Sequence, residues 1–120
     1  MTGSAFPMPW FDLAALSLRA WRPYDVAMGK LFEQIRSAVA NDRFFVAWHA
    51  DERCEERGIT AWQLVAGLEE AELVRERPRS KPNPSVVVRQ ILEDGSEVEV
   101  IWSWLGETRQ AKLVTVYLVE

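Results

Sequence analysis

The sequence predicts an α+β domain in which N-terminal helices pack on a three- to four-stranded antiparallel sheet. Apolar residues recur at helical spacing up to about Ala71 and at alternate positions beyond it. An Asp94-Gly95 pair, the signal of a tight hairpin, lies between two of the alternating stretches. Helices first and strands afterwards is the order of an α+β domain rather than of an interleaved α/β one. At 120 residues, 48% apolar and 27% charged, the chain is long enough to bury a core without disulfide or metal staples.

The elements follow in order. Residues 1–11 hold two prolines and no periodic pattern, so residues 1–23 read as an arm or short helix and 24–120 as the single folded domain. Asp12 is placed to cap a short helix through Trp21, which Pro23 stops. Met28, Leu31, Phe32, Ile35, Ala38 and Val39 mark a second helix from about Tyr24 to Asn41. The run Phe44 to Trp48 is either a strand or a buried entry to the next helix. Residues 49–57 lack strand formers and end at Gly58, suited to the left-handed position after a helix. Thr60 with Gln63 forms a capping box that starts another helix, with Trp62, Val65 and Leu68 expected inward. Strands are expected at Leu73–Arg77, Ser85–Leu92, Glu97–Trp104 and Gln110–Val119. Parity directs Val98, Val100, Trp102 and Trp104, with Val114, Val116 and Leu118, to the helices; Glu97, Glu99, Ser103, Thr115 and Tyr117 share the opposite face, and Ser85 and Arg89 share one parity.

Composition narrows the function. No apolar run reaches the ~18 residues of a membrane span. The first ten residues lack the basic stretch and apolar block of a secretory signal, and Cys54 is the one cysteine, so a reducing cytoplasm is expected. One histidine and one cysteine make no zinc cluster. No glycine-rich phosphate loop, serine elbow or dinucleotide fingerprint occurs, and neither metal nor cofactor is expected. The net charge of −4 argues against a generic nucleic-acid coat. Its distribution does not: Arg75 to Arg89 carries five bases against the single acid Glu76, whereas Gln90 to Glu120 carries two bases against six acids.

His49, Arg53 and Arg57 stand four residues apart, which on a helix aligns them along one face about 6 Å per step. Cleaving RNA without a metal needs a base for the 2′-hydroxyl, an acid for the leaving oxygen and cations for the crowded phosphorane. Imidazole transfers protons near neutrality, and guanidinium groups fork onto phosphate oxygens. Asp51, Glu52, Glu55 and Glu56 on the same segment offer the plainer alternative, an ion-paired surface helix.

The segment from Trp48 to Thr60, with its His49-Ala50, Arg53 and Glu56-Arg57-Gly58-Ile59 steps, resembles the signature of a bacterial family, domain of unknown function 4258. Lys81-Pro82-Asn83-Pro84-Ser85 and Val114-Thr115-Val116-Tyr117 resemble two later motifs of that family, and the likeness runs over roughly residues 31–120. The family in turn resembles the RelE and BrnT toxins. This implies a RelE-like architecture and a metal-independent endoribonuclease acting on RNA, including ribosome-bound messenger RNA. The implied partner is a cognate antitoxin protein. Carried over by motif, His49, Arg53 and Arg57 match the signature helix, Lys81 and Ser85 the loop, and Thr115 and Tyr117 the last strand. Relatives carry a second histidine where this chain has Glu99, so the resemblance implies either that Glu99 substitutes in the proton relay or that the activity is altered or absent. The catalytic candidates are therefore His49, Arg53, Arg57, Glu99 and Tyr117, and the substrate-binding ones Lys81, Ser85, Arg89 and Thr115.

Two functions of different class fit these features: a toxin-like ribonuclease, and a non-catalytic interaction module of a defence or toxin–antitoxin complex. In the second, Trp10, Phe11 and Trp21 dock a partner and His49 with its arginines is structural. Convergence of His49, Arg53 and the Glu99, Thr115 and Tyr117 face on one cleft distinguishes the first; a His49 buried in apolar packing would support the second.

Overall fold

The computed structural model describes residues 23–119; the expected Asp12–Trp21 helix and the aromatic arm lie outside the described residues. The chain divides into a first unit, Met1–Lys30, and a larger one, Leu31–Glu120. Helix α1 (Pro23–Ala40) is followed by strand β1 (Phe44–Val46), helices α2 (Trp48–Glu56) and α3 (Ala61–Gly67) and a short 3-10 turn at Leu68–Glu70. Strands β2 (Glu72–Arg77), β3 (Ser85–Ile91), β4 (Glu97–Leu105) and β5 (Gln110–Leu118) complete the fold.

The α+β class holds, but the sheet has five strands rather than three or four, and it is mixed rather than antiparallel. Its order is β1-β5-β4-β3-β2, with β1 parallel to β5 and the other neighbours antiparallel. The run Phe44 to Trp48 is a strand over Phe44–Val46, paired with Ala111–Leu113, and its last residue opens α2 with an exposed rather than a buried side chain. Three residues are too few to display a period. A side chain outside the run holds the strand in place. The Arg43 guanidinium donates to the Thr108 and Arg109 carbonyls, both at 3.1 Å, and its own carbonyl accepts from Ala111 N–H at 3.0 Å.

One layer of helices covers one face of the sheet. Phe32, Ile35, Ala38 and Val39 of α1, Ala50 and Cys54 of α2, and Leu64 and Val65 of α3 join Val86, Val88, Val98, Val100, Trp102, Leu113 and Val116 in a single core. Trp102 is fully buried, and its indole N–H has no partner. Burying the ring outweighs an orphan donor costing roughly 1–3 kcal/mol. Gly58 takes the left-handed conformation, with φ of 70°, just past α2. At α3 the full capping box forms between Thr60 and Gln63. Trp62, expected inward, is 68% exposed instead. The short helix buries only a Leu64–Val65–Leu68 stripe, and position 62 falls outside it. At the C-terminal end of α3, the buried Gln90 donates to the Leu64 carbonyl at 3.1 Å. Gly67 leaves room for this contact, since a Cβ there would lie 2.7 Å from the Gln90 amide nitrogen.

The two strands that flank the β3–β4 pair each carry one extra residue. On β5 the pairing steps from Ile101↔Thr115 to Trp102↔Leu113, leaving Val114 unopposed. On β2 it steps from Leu73↔Val88 to Arg75↔Val87, leaving Val74 unopposed. Each bulge shifts the parity of its strand by one. Val114, expected in the core with Val116, therefore faces away from the helices, and Leu113 takes the inward place. Trp104, also expected inward, is half-buried at the rim of the core.

Deleting Val114 closes the bulge and leaves Leu113 inward and Thr115 and Tyr117 outward in unbroken alternation, so the shortened chain should keep a cooperative urea transition, whereas deleting Val116 turns either Thr115 or Tyr117 onto the helical face and should abolish it. Val114→Ala keeps the bulge and should cost no more than about 1 kcal/mol. Thr60→Ala should cost about 1 kcal/mol through the lost cap. A Val114 deletion that unfolds the chain while the Val116 deletion is tolerated would show that Val114 is not the extra residue of the strand.

Candidate functional site

The face turned away from the helices is built in three rungs, each running from β2 to β5. Direct pairing gives Glu72–Arg89–Glu99–Tyr117, Arg75–Val87–Ile101–Thr115 and Arg77–Ser85–Ser103–Lys112. Residues opposite one another in a ladder point to the same side, so the rungs define one surface. Its centre is closely packed: Val87, Ser85, Ser103 and Thr115 are buried, and Arg75, Arg77 and Tyr117 are exposed.

Charge sorts itself across the sheet. Of the basic stretch, Arg75, Arg77 and Arg89 lie on this outer surface, and Lys81 in the following loop lines a cavity with Arg77. Glu76, the one acid of that stretch, pairs with Val86 and points inward, where its carboxylate accepts the Phe32 N–H at 2.7 Å. The bulge at Val74 produces this segregation, because it puts Arg75 outward one residue after the alternation would have done so.

In the first rung Arg89 Nη2 donates to Glu99 Oε2 at 3.3 Å, with both side chains partly exposed. A pair this open contributes at most about 1 kcal/mol. Among the described residues, Arg89 Nε is buried beside it without a partner. Tyr117 stands opposite Glu99 in the register and is 47% exposed.

The α2 candidates stand apart from this rung. Ala50 and Cys54 face the core, which leaves His49 exposed and Arg53 half-exposed on the neighbouring flank. Trp48, 74% exposed, meets the His49 ring edge-on at 6.3 Å. Arg53 approaches Glu56 at 3.9 Å, a loose surface pair, and Arg57 lies past the last helical turn as the C-cap with its Nε buried and unpartnered. Among the described residues, no hydrogen bond, ion pair or shared cavity joins His49, Arg53 or Arg57 to Glu99 or Tyr117. What connects them is β5: Ala47 N–H donates to the Leu113 carbonyl at 3.0 Å, and α2 then packs along the same strand.

Lys81 and Ser85 come together in a cavity of about 280 Å³ with Arg77, Ser80, Asn83, Ser103 and Val114. Arg77, Ser80 and Ser103 were not singled out in the sequence. Parity alone puts Ser103 on this face, Arg77 joins it only once the β2 bulge is counted, and Ser80 belongs to a loop with no period to read. Among the described residues, no cluster of His, Cys, Asp and Glu could hold a metal ion, and no helix is long and apolar enough to cross a membrane.

The molecule is thus an α+β domain with a helical layer on one side of a mixed sheet and a cation-bearing polar surface on the other. Residues 48–118 match the family described as a domain of unknown function, DUF4258, and the chain belongs to it. The match begins at the first residue of α2 and ends at the last of β5, so it takes in every candidate named above. No curated protein and no solved structure matches the chain.

Burial, and then the nearby Asp51 carboxylate, push the Cys54 thiol above its usual range. The folded state therefore holds the thiol proton more tightly than the unfolded chain. Stability should be level below the ordinary thiol range and fall as pH climbs through it. Native protein at pH 8 should react with a thiol reagent at least tenfold more slowly than urea-unfolded protein, and Cys54→Ala should remove the alkaline loss of stability. Equal labelling rates would mean that α2 opens freely.

Proposed function

We propose that this chain is a metal-independent endoribonuclease of the toxin type, holding RNA across the outer face of its sheet. The observation that carries it is the sorting of charge: four cations of one basic stretch gather outward with Lys112, and the acid of that stretch is turned inward. An acidic chain with such a surface attracts a short polyanion locally while its body repels a long one.

The chemistry follows from the first rung. The Glu99 carboxylate takes the proton of a 2′-hydroxyl, and that oxygen attacks the adjacent phosphorus. The bond to the 5′-oxygen breaks, with the Tyr117 hydroxyl supplying the leaving group's proton, and a 2′,3′-cyclic phosphate remains. Arg89 orients Glu99 through its Nη2 and has donors left for the phosphorane oxygens. His49 and Arg53, on the helix packed against the same strand, extend the phosphate contacts beyond the rung. A cognate antitoxin protein would then be the expected partner.

The alternative, a non-catalytic interaction module, draws on the large exposure of Trp48 and Trp62 on the helical side. Indoles left this open are common at docking surfaces.

Induction of the parent chain should arrest growth and yield RNA fragments ending in 2′,3′-cyclic phosphate. Glu99→Gln and Tyr117→Phe should each lower cleavage 10²- to 10⁴-fold with the fold intact, the usual yield of a proton-transfer group. His49→Ala should lower it less than tenfold. A larger loss in His49→Ala than in Tyr117→Phe would move the acid role to the imidazole, and purified parent protein that cuts no RNA would leave the interaction module.

A further inference from the structure

We infer that the cavity between the β2–β3 loop and the β3–β4–β5 face is a binding site for a single unstacked nucleotide, gripped by phosphate and base together. Its volume of about 280 Å³ equals roughly nine waters at ~30 Å³ each, more than a bare tetrahedral oxyanion needs. Arg77 and Lys81 stand at this cavity, and neither is ion-paired to another described residue.

The hydrogen-bonding balance separates a nucleotide from a simple anion. A lone phosphate asks only for donors, whereas a base edge asks for donors and acceptors side by side. Ser80 Oγ gives its proton to the Asn83 carbonyl at 2.8 Å. In its 3.1 Å contact with Ser85 Oγ, the Ser85 hydroxyl must therefore be the donor. Ser85 is left facing the cavity with acceptor lone pairs. The Asn83 amide offers one donor group and one acceptor, and neither it nor the Ser103 hydroxyl has a side-chain partner among the described residues. Ile101, Pro82 and the bulged Val114 supply apolar wall for the flat face of a base. A phosphate seated on Arg77 and Lys81 thus leaves a mixed polar, apolar-walled remainder of the shape a base requires. As an RNA subsite the cavity rests on the function proposed above, which supplies the nucleotide's source; the binding chemistry does not depend on cleavage.

The four nucleoside 3′-monophosphates, the matching nucleosides and inorganic phosphate are titrated into the full chain, with binding followed by nuclear magnetic resonance shifts and calorimetry. At least one monophosphate should bind tenfold or more tightly than its nucleoside and than inorganic phosphate, with shifts centred on Ser85, Ser103 and Val114. Arg77→Ala and Lys81→Ala, both at exposed positions, should each weaken it about tenfold, and Asn83→Ala should alter the order of preference among bases. Phosphate binding as tightly as every nucleotide would overturn the inference, as would nucleotide binding indifferent to Arg77 and Lys81, or none at millimolar ligand. Nucleotide binding by a chain that cuts no RNA would remove the nuclease and keep the site. Cleavage without mononucleotide binding would do the reverse.

Discussion

The side-chain period of two along a strand governs this domain, and its two interruptions decide what the outer surface contains. Without a bulge at Val114, Leu113, Thr115 and Tyr117 would share a face, and the strand would have to choose between burying its leucine and presenting its tyrosine. Without a bulge at Val74, Leu73, Arg75 and Arg77 would face the same conflict. One extra residue in each strand resolves both, with the apolar residue before the bulge kept in the core and the polar ones after it turned out. Both bulges lie on the β2 and β5 sides of the central β3–β4 pair, whose own pairing runs without a shift from Ser85↔Ser103 to Ile91↔Glu97. The irregularities sit where they re-aim side chains and leave the central ladder whole.

A second consequence is electrostatic. The chain as a whole is acidic, and a uniform spread of its charges would repel phosphate. The alternation that sends Arg75 and Arg77 outward sends Glu76 inward, to the backbone N–H of Phe32. There it contributes to holding β2 against α1 and is withdrawn from the surface its neighbours populate. Since fields near a protein surface fall off over roughly 8–10 Å at ordinary salt, this local sorting matters more to a bound ligand than the net charge does.

The class of the fold, the capping box at Thr60, the left-handed Gly58 and the shared parities of Ser85 with Arg89 and of Glu99 with Tyr117 were all legible in the residues, because each follows from a period or a fixed local geometry. The parallel β1 was not. It is three residues long and is held by Arg43 against carbonyls 65 and 66 positions away, a contact no local pattern announces. Val114 was misread for a related reason: a bulge leaves no mark in a run of β-branched and apolar residues, where either parity buries something acceptable. The helical alignment of His49 and Arg53 could be read from spacing alone. Which way that flank would turn relative to the sheet could not, since it depends on α2 leaving β1 beside β5.

Among the described residues, four buried side-chain atoms lack partners, and their positions differ. Trp102 Nε1 and Gln90 Oε1 belong to the core side, where the indole fills volume and the amide is spent on the Leu64 carbonyl. Arg89 Nε is different. It lies on the outer face, on a partly exposed guanidinium that makes one 3.3 Å contact to Glu99. Arg57 Nε is buried at the C-cap of α2, away from that face. Of the four, Arg89 Nε alone lies on a rung that also carries Glu99 and Tyr117, which stand opposite each other in the register.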